Sequence, residues 1–271
     1  MDEWLLALLV GLVQGVFEWL PVSSEGSVAL VLAVVGNATP DAAVRFALFL
    51  HGGTAVAAAI FYRGEIAALL RRLPTWRPGR AFDPERADLT FLVVATLASG
   101  AVGAVAYLAL EGVASELSGG AFVAVIGALL VGTGLVQRTA DARAVQQRRL
   151  PDTLDALLVG ALQGLALLPG VSRSGTTVSA LLLRGHEGEA ALRLSFLLSI
   201  PAAAGAGLLV LVDEGLPAIS PGAAVLALAV SAVVGYLTVD ALVRLVERVA
   251  FWGVCVGFGL LAVVGGGLLV L

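Results

Sequence analysis

The sequence predicts an all-α polytopic membrane protein: six transmembrane helices plus two re-entrant helix-loop-helix hairpins, arranged as an inverted-topology repeat. Three observations lead there. The chain of 271 residues is 59% hydrophobic and carries 16 basic and 20 acidic side chains, 13% of the total, about half the ~25% of soluble domains. With a mean hydropathy of +0.99, those charges cannot cover a surface in water, which excludes soluble and disordered classes. Apolar runs recur at close to the ~20 residues that cross a hydrocarbon core, and two longer apolar stretches are each broken in the middle by small, polar, Pro and Gly residues.

Taken in order, the first broken stretch covers about 4–36 and is interrupted by Pro21-Val22-Ser23-Ser24-Glu25-Gly26. Spans follow at roughly 42–62, 88–110 and 121–138. The second broken stretch, about 153–184, is interrupted by Pro169-Gly170-Val171-Ser172-Arg173-Ser174-Gly175, and spans at roughly 190–212, 222–243 and 250–271 complete the six. Each half of a broken stretch is too short to cross alone, which suits a hairpin that enters and leaves by one side. The opening MDEWLL has acids where a secretory signal carries positive charge, so a cleaved signal is not expected. The lone Cys255 excludes an intrachain disulfide and a cysteine-ligated metal, and with a net charge of −4 and no basic tract, nucleic acid is not an expected partner.

All 16 basic residues are Arg, and fourteen fall on one side of this topology. Six (Arg63 to Arg86) follow the first span, Arg138, Arg143, Arg148 and Arg149 follow the third, Arg184 and Arg193 precede the fourth, and Arg244 and Arg248 separate the last pair. By the positive-inside rule that side is cytoplasmic, and the Arg-free segments around Glu111 to Gly120 and Asp213 to Pro221 face out. A shift of 149 residues superimposes Gly11 on Gly160, Gln14 on Gln163, Gly15 on Gly164, Ser23 on Ser172 and Gly26 on Gly175. One integral membrane domain therefore holds repeat 1, about 1–138, and repeat 2, about 153–271. Each has one hairpin and three spans, an odd number, so the second copy is inverted. Such repeats place a polar site near the midplane where the broken helices meet.

Ionisable groups at membrane depth read as functional by default, which singles out Glu18, Glu25 and Arg173. Gln14 and Glu18 share one helix face and present oxygens of the kind that hold a hard cation such as Mg²⁺. Ser172-Arg173-Ser174-Gly175-Thr176-Thr177 opens a half-helix with one guanidinium and four hydroxyls, a cradle for phosphate. Ser24 is a candidate nucleophile with Glu18 as base; alternatively Glu18 and a metal activate water. Arg45 escapes the topological pattern and is a candidate for the diphosphate, as are Ser23 and Ser27. His51 is placed near the outer end of the first span, Glu25 in a wet turn, and His186 in a solvated cytoplasmic turn; Asp240 and Arg244 have ion-pair spacing.

Gln14-(x)3-Glu18-Trp19-Leu20-Pro21-Val22-Ser23-Ser24-x-Gly26, PGVSRSGTT at 169–177 and RLSFLLSIPAAAGA at 193–206 resemble the undecaprenyl-diphosphate phosphatase family of the bacitracin-resistance type, over nearly the whole chain. The resemblance implies a cell-membrane enzyme that removes the terminal phosphate of undecaprenyl diphosphate, the lipid carrier of cell-wall polymers. It implies Gln14, Glu18, Ser24 and Arg173 as site residues, Mg²⁺ or Ca²⁺ as cofactor, and a site open to the outer face. Two departures stand out. Ser27 occupies the position of a family histidine, which moves the expected base to Glu18, and Phe251-Trp252-Gly253-Val254-Cys255 lacks the usual Tyr-Arg pair. The expected partners are a polyprenyl diphosphate and membrane lipids, and a homodimer is compatible with the sequence. The alternative from another class is a lipid-phosphate or anion transporter on the same inverted-repeat scaffold.

Overall fold

The computed structural model describes residues 2–36, 38–116, 119–143, 148–213, 219–246 and 248–270. Among them the chain is helical: α1 (Glu3–Phe17), α2 (Ser24–Val34), α3 (Pro40–Phe61), α4 (Arg63–Leu70), α5 (Ala87–Glu116), α6 (Gly119–Arg143), α7 (Thr153–Leu165), α8 (Arg173–Leu183), α9 (Gly188–Asp213), α10 (Pro221–Val246) and α11 (Trp252–Val270). Five helices, α3, α5, α6, α9 and α10, are long and apolar enough to cross a membrane, so the protein is a multi-pass membrane protein. The sixth expected run corresponds to α11, apolar but shorter over Trp252–Leu268. The Arg-free segments expected to face out include residues 117–118 and 214–218, which lie outside the described residues.

The broken stretches fold as two helix pairs, α1–α2 and α7–α8. At 1.5 Å per residue none of the four reaches the ~30 Å of a hydrocarbon core. Each second helix starts on a serine cap: Ser23 Oγ accepts from the Gly26 amide and Ser172 Oγ from the Gly175 amide. The turn before α8 needs Gly170, whose φ is +99° and whose missing Cβ would stand 2.4 Å from the Ile126 carbonyl.

Packing follows the internal repeat. α1 lies on α10, and α7 lies on α5. Cβ atoms on Gly11 and Gly15 would press to 2.8 Å from the Ala227 carbonyl and 2.9 Å from Val234, while on Gly160 and Gly164 they would reach 2.4 Å from the Ala95 carbonyl and 2.7 Å from the Gly103 amide. Small residues let helix backbones close without any hydrophobic drive from water, and the same two glycines of each copy make that seam. α3 packs on α9 and α6 on α11. Trp19, Phe49, Phe91 and Phe196 are fully buried, while Leu97, Leu237, Leu261 and Leu268 are exposed on the outside of the helix bundle.

At the Arg-rich end, the carboxylate of Asp155 is buried in the first turn of α7. It accepts from Arg184 Nε (2.7 Å), Arg148 Nη2 (3.2 Å), His186 Nε2 (2.9 Å) and the Asp152 amide (2.9 Å). This corrects the expectation for His186, which is 1% exposed because Asp155 draws it inward. Arg193 ties α9 to Glu65 and Asp88 (2.7 and 2.8 Å), and Arg244 pairs with Asp240 as its spacing predicts. Burial alone would raise the Asp155 carboxyl, but hydrogen bonds from His186, Arg184 and the Asp152 amide outweigh it and hold it below the usual carboxylate range. A lowered carboxylate stabilises the fold above its ordinary pKa of 3.8 and loses that contribution as pH falls through the folded value. Asp155→Asn should therefore cost about 3 kcal/mol at neutral pH. Thermal melts in detergent should show a lower Tm for the variant, with the gap to the parent closing below about pH 4.

Candidate active site

The site is assembled where the two helix pairs meet. Glu18 closes the C-terminus of α1, Ser24 is the first residue of α2, Arg173 is the first residue of α8, and His51 lies in the middle of α3. Glu18 Oε1 accepts from Arg173 Nη2 at 2.5 Å, an ion pair between the two copies of the repeat. Its other oxygen accepts from Gln14 Nε2 (2.9 Å) and Ser24 Oγ (3.0 Å) and stands 3.4 Å from His51 Nε2. His51 Nε2 is also 3.5 Å from Glu25 Oε1, and its Nδ1–H donates to the Ala47 carbonyl at 2.8 Å. With Nδ1 so committed, Nε2 is the nitrogen left to take or give a proton among the carboxylates.

Arg173 is propped from behind. Its guanidinium carbon lies 6.0 Å from the ring centre of Phe196, which packs edge-on against Trp19, and Trp19 Nε1 donates to the Gly235 carbonyl at 3.0 Å. Among the described residues Arg173 Nη1 is buried without a partner. Arg173 thus holds Glu18 with one nitrogen and keeps the other for an anion. A void of about 10 Å³ lies within the cluster, room for about one water. Glu18, Glu25, His51 and Arg173 also line the inner end of a cleft of about 580 Å³, the route by which anything larger reaches them.

Residues 7–264 match the family model described as bacitracin resistance protein BacA. The chain belongs to that family. It is 62% identical to an undecaprenyl-diphosphatase of Haloarcula marismortui over 98% of both chains. It is 37% identical to one of Methanococcoides burtonii over 95% of this chain and 96% of the relative, and 35% identical to one of Geobacter metallireducens over 91% of both.

In this BacA-family chain the structure gathers Gln14, Glu18, Ser24 and Arg173 as the sequence groups them. It adds two residues that the sequence places elsewhere. Glu25 is buried rather than wet, and His51, expected near a helix end, points Nε2 between two carboxylates. The loop has Ser27 and no histidine, and α3 supplies one from another direction. The remaining hydroxyls hold the loops together. Ser23 Oγ accepts from the Gly170 amide as well as Gly26 (3.0 Å each), and Ser174 Oγ donates to the Leu20 carbonyl at 3.1 Å. Ser172 caps α8, Thr177 bonds Ser195 at 2.6 Å, Thr176 is half-buried in the first turns of α8, and Ser27 donates to the Ser23 carbonyl. Arg45 pairs with Asp41 at 2.9 Å and lines neither the void nor the cleft.

The loop of α1–α2 is further fixed through its Pro21 carbonyl, which accepts from Gln137 Nε2 (2.6 Å) and Cys255 Sγ (3.1 Å). Among the described residues no three His, Cys, Asp or Glu side chains form a complete metal-binding group. Two buried oxygens, Gln14 Oε1 and Glu25 Oε2, nevertheless have no partner among the described residues. Such oxygens suit Mg²⁺ or Ca²⁺ when substrate phosphate and water complete the shell, so the residues fit a cation shared with the substrate.

The two adjacent serines should separate in experiment. Ser23→Ala leaves the Gly26 and Gly170 amides unpaired and should lower stability by about 1–3 kcal/mol for each, read as a lower Tm in detergent. Ser24→Ala breaks only its bond to Glu18, whose oxygen keeps Gln14, and should cost about 1 kcal/mol, less than Ser23→Ala, while phosphate release is lost.

Proposed function

We propose that this protein is an undecaprenyl-diphosphatase, hydrolysing the terminal phosphate of the lipid diphosphate and so recycling the carrier of cell-wall polymers. The observation that carries this reading is the contact of Glu18 with both Arg173 and Ser24, beside the unpartnered Arg173 Nη1. A base within hydrogen-bond reach of a hydroxyl, next to a free guanidinium nitrogen, is the arrangement phosphoryl transfer requires.

Arg173 Nη1, with the N-terminus of α8, receives the phosphate oxygens. Glu18 takes the proton of the Ser24 hydroxyl as its oxygen attacks the terminal phosphorus, and prenyl monophosphate leaves. His51 Nε2 then mediates proton transfer as water releases phosphate from Ser24, restoring the hydroxyl. A divalent cation held by Glu18, Gln14 and Glu25 would neutralise charge on the diphosphate. The inverted repeat, with six spans and both helix pairs re-entrant, is supported by the matched glycine seams of α1 and α7. The Arg distribution supports a site reached from the outer face of the cell membrane.

A second cavity, of about 640 Å³, approaches the same loops at Pro21, Ser174 and Gly175, and access from two sides is what a transporter needs. Among the described residues Glu189 is the one charged residue lining it, which does not suit an anionic headgroup, so hydrolysis is the reading we favour. Purified protein should release phosphate from undecaprenyl diphosphate in detergent with Mg²⁺ and stop with chelator. Arg173→Ala, Glu18→Gln and His51→Ala should each lower kcat by roughly a hundredfold or more. Unchanged rates in any of these variants would remove that residue from the mechanism, and no turnover by the parent would refute the activity.

A further inference from the structure

Inside the apolar run of α6, Thr133 is the one polar side chain between Ala121 and Val136, and Gln137 follows one turn later. Polar side chains within a span find partners on neighbouring elements, or, for a threonine, in the carbonyl four residues back in its own helix. Thr133 and Gln137 both reach out of their helix. Thr133 Oγ1 donates to the Gly170 carbonyl at 3.3 Å and accepts from the Ser172 amide at 3.4 Å, both in the loop before α8. Gln137 Nε2 donates to the Pro21 carbonyl at 2.6 Å, in the loop before α2. One helix face thus carries an anchor for each loop. Ile126 and Leu130 continue that face at helical spacing, and all four side chains are buried.

The fit around these anchors is tight. A Cβ on Gly175 would stand 2.3 Å from Gln137 Nε2 and 3.2 Å from the Pro21 carbonyl, so the room left by that glycine is where the amide sits between the two loops. Cys255 Sγ of α11 reaches the same carbonyl at 3.1 Å, a second and weaker donor. Ile126 meets both helix pairs: a Cβ on Gly170 would press to 2.4 Å from its carbonyl, and one on Gly26 to 3.1 Å from its Cγ2. The anchored atoms adjoin the reacting groups. Pro21 lies midway between Glu18 and Ser24, and Ser172 immediately precedes Arg173. Thr133 and Gln137 themselves line neither the void nor the cleft where those groups stand.

We propose that Thr133 and Gln137 are positioning residues: they set the two loops against each other and so hold Glu18 and Ser24 in register with the phosphate on Arg173. This rests on the hydrolysis reading made above. A helix is a stiff spacer, and four residues at 1.5 Å each separate the two anchors by roughly 6 Å along its axis. Fixing both loops to α6 turns the junction between two copies of the repeat into one frame. The Glu18–Arg173 pair is a poor frame by itself, since an incoming phosphate competes for the guanidinium. The bonds from α6 go to backbone atoms of the loops, outside the void and the cleft. A misplacement of about 1 Å can cost on the order of a hundredfold in rate, so the anchors govern turnover rather than affinity.

The test measures kcat and KM for undecaprenyl diphosphate with Mg²⁺ in detergent, per mole of monodisperse protein, alongside Tm. Thr133→Val and Gln137→Met keep the side-chain volume and remove the donors. Each should lower kcat roughly tenfold or more with KM within about twofold, and Thr133→Ser, which keeps the hydroxyl, should retain kcat within about threefold. A merely structural role would lower Tm and leave the kcat of folded protein intact. That result, a rise in KM at unchanged kcat, or a Thr133→Ser variant as slow as Thr133→Val would each overturn the proposal. Because Gln137→Met can fail to fold, the milder Gln137→Asn and Cys255→Ala are included. Gln137→Asn keeps the amide but falls one methylene short of Pro21 and should lose roughly tenfold in kcat, while Cys255→Ala removes only the weaker donor and should stay within about threefold of the parent. Full kcat in Gln137→Asn, or a Cys255→Ala variant slower than it, would overturn the proposal as well. A parent with no turnover would refute the hydrolysis reading and this proposal with it, an outcome distinct from an active parent whose variants match it.

Discussion

The pair between Glu18 and Arg173 is the contact on which the rest of the structure converges. Charges at membrane depth are expensive and persist only when paired or solvated, and these two come from different copies of the repeat, 155 positions apart. Neither helix pair can bring its ionised residue to this depth without the other. The loops on either side are accordingly laced together: Ser23 to Gly170, Ser174 to Leu20, and Gln137 and Cys255 to Pro21. The pair also leaves functional capacity on both partners. Glu18 still reaches Ser24 and Gln14, and Arg173 still has one nitrogen to give.

Divergence between the copies explains how a symmetric scaffold holds an asymmetric site. The positions that became Glu18 and Ser24 in the first copy are Leu167 and Arg173 in the second, so one copy carries acid and nucleophile and the other the cation. The backbone roles stayed common. Ser23 and Ser172 cap α2 and α8 in the same way, and the glycines of α1 and α7 close the same seam. Chemistry diverged where side chains face the junction, and architecture was retained where they face their own helix.

That division also sets what the sequence could disclose. Broken stretches, the 149-residue repeat and the lone ionisable residues are patterns along one chain, so the helix pairs and the grouping of Gln14, Glu18, Ser24 and Arg173 were legible. His51 was not, because depth along α3 matters only relative to a loop from elsewhere, and nothing in Leu50-His51-Gly52-Gly53 states how far that loop reaches. His186 was misplaced for the same reason: a turn residue looks solvated until Asp155 is found beneath it. The sequence presents the hydroxyls of Ser23, Ser172 and Ser174 as phosphate ligands, and only the geometry shows the caps and cross-links they make here.

The crossed seams bear on the order in which the protein can form. α7 settles against α5, a helix that already exists when α7 is made. α1 settles against α10, and the indole of Trp19 bonds a carbonyl 216 residues further along the chain. During synthesis the first helix pair must therefore remain in or near the membrane with Glu18 lacking its cation until most of the protein has followed. α1 is translated well before the helix it packs on, which makes the second copy of the repeat in effect the template on which the first completes its fold.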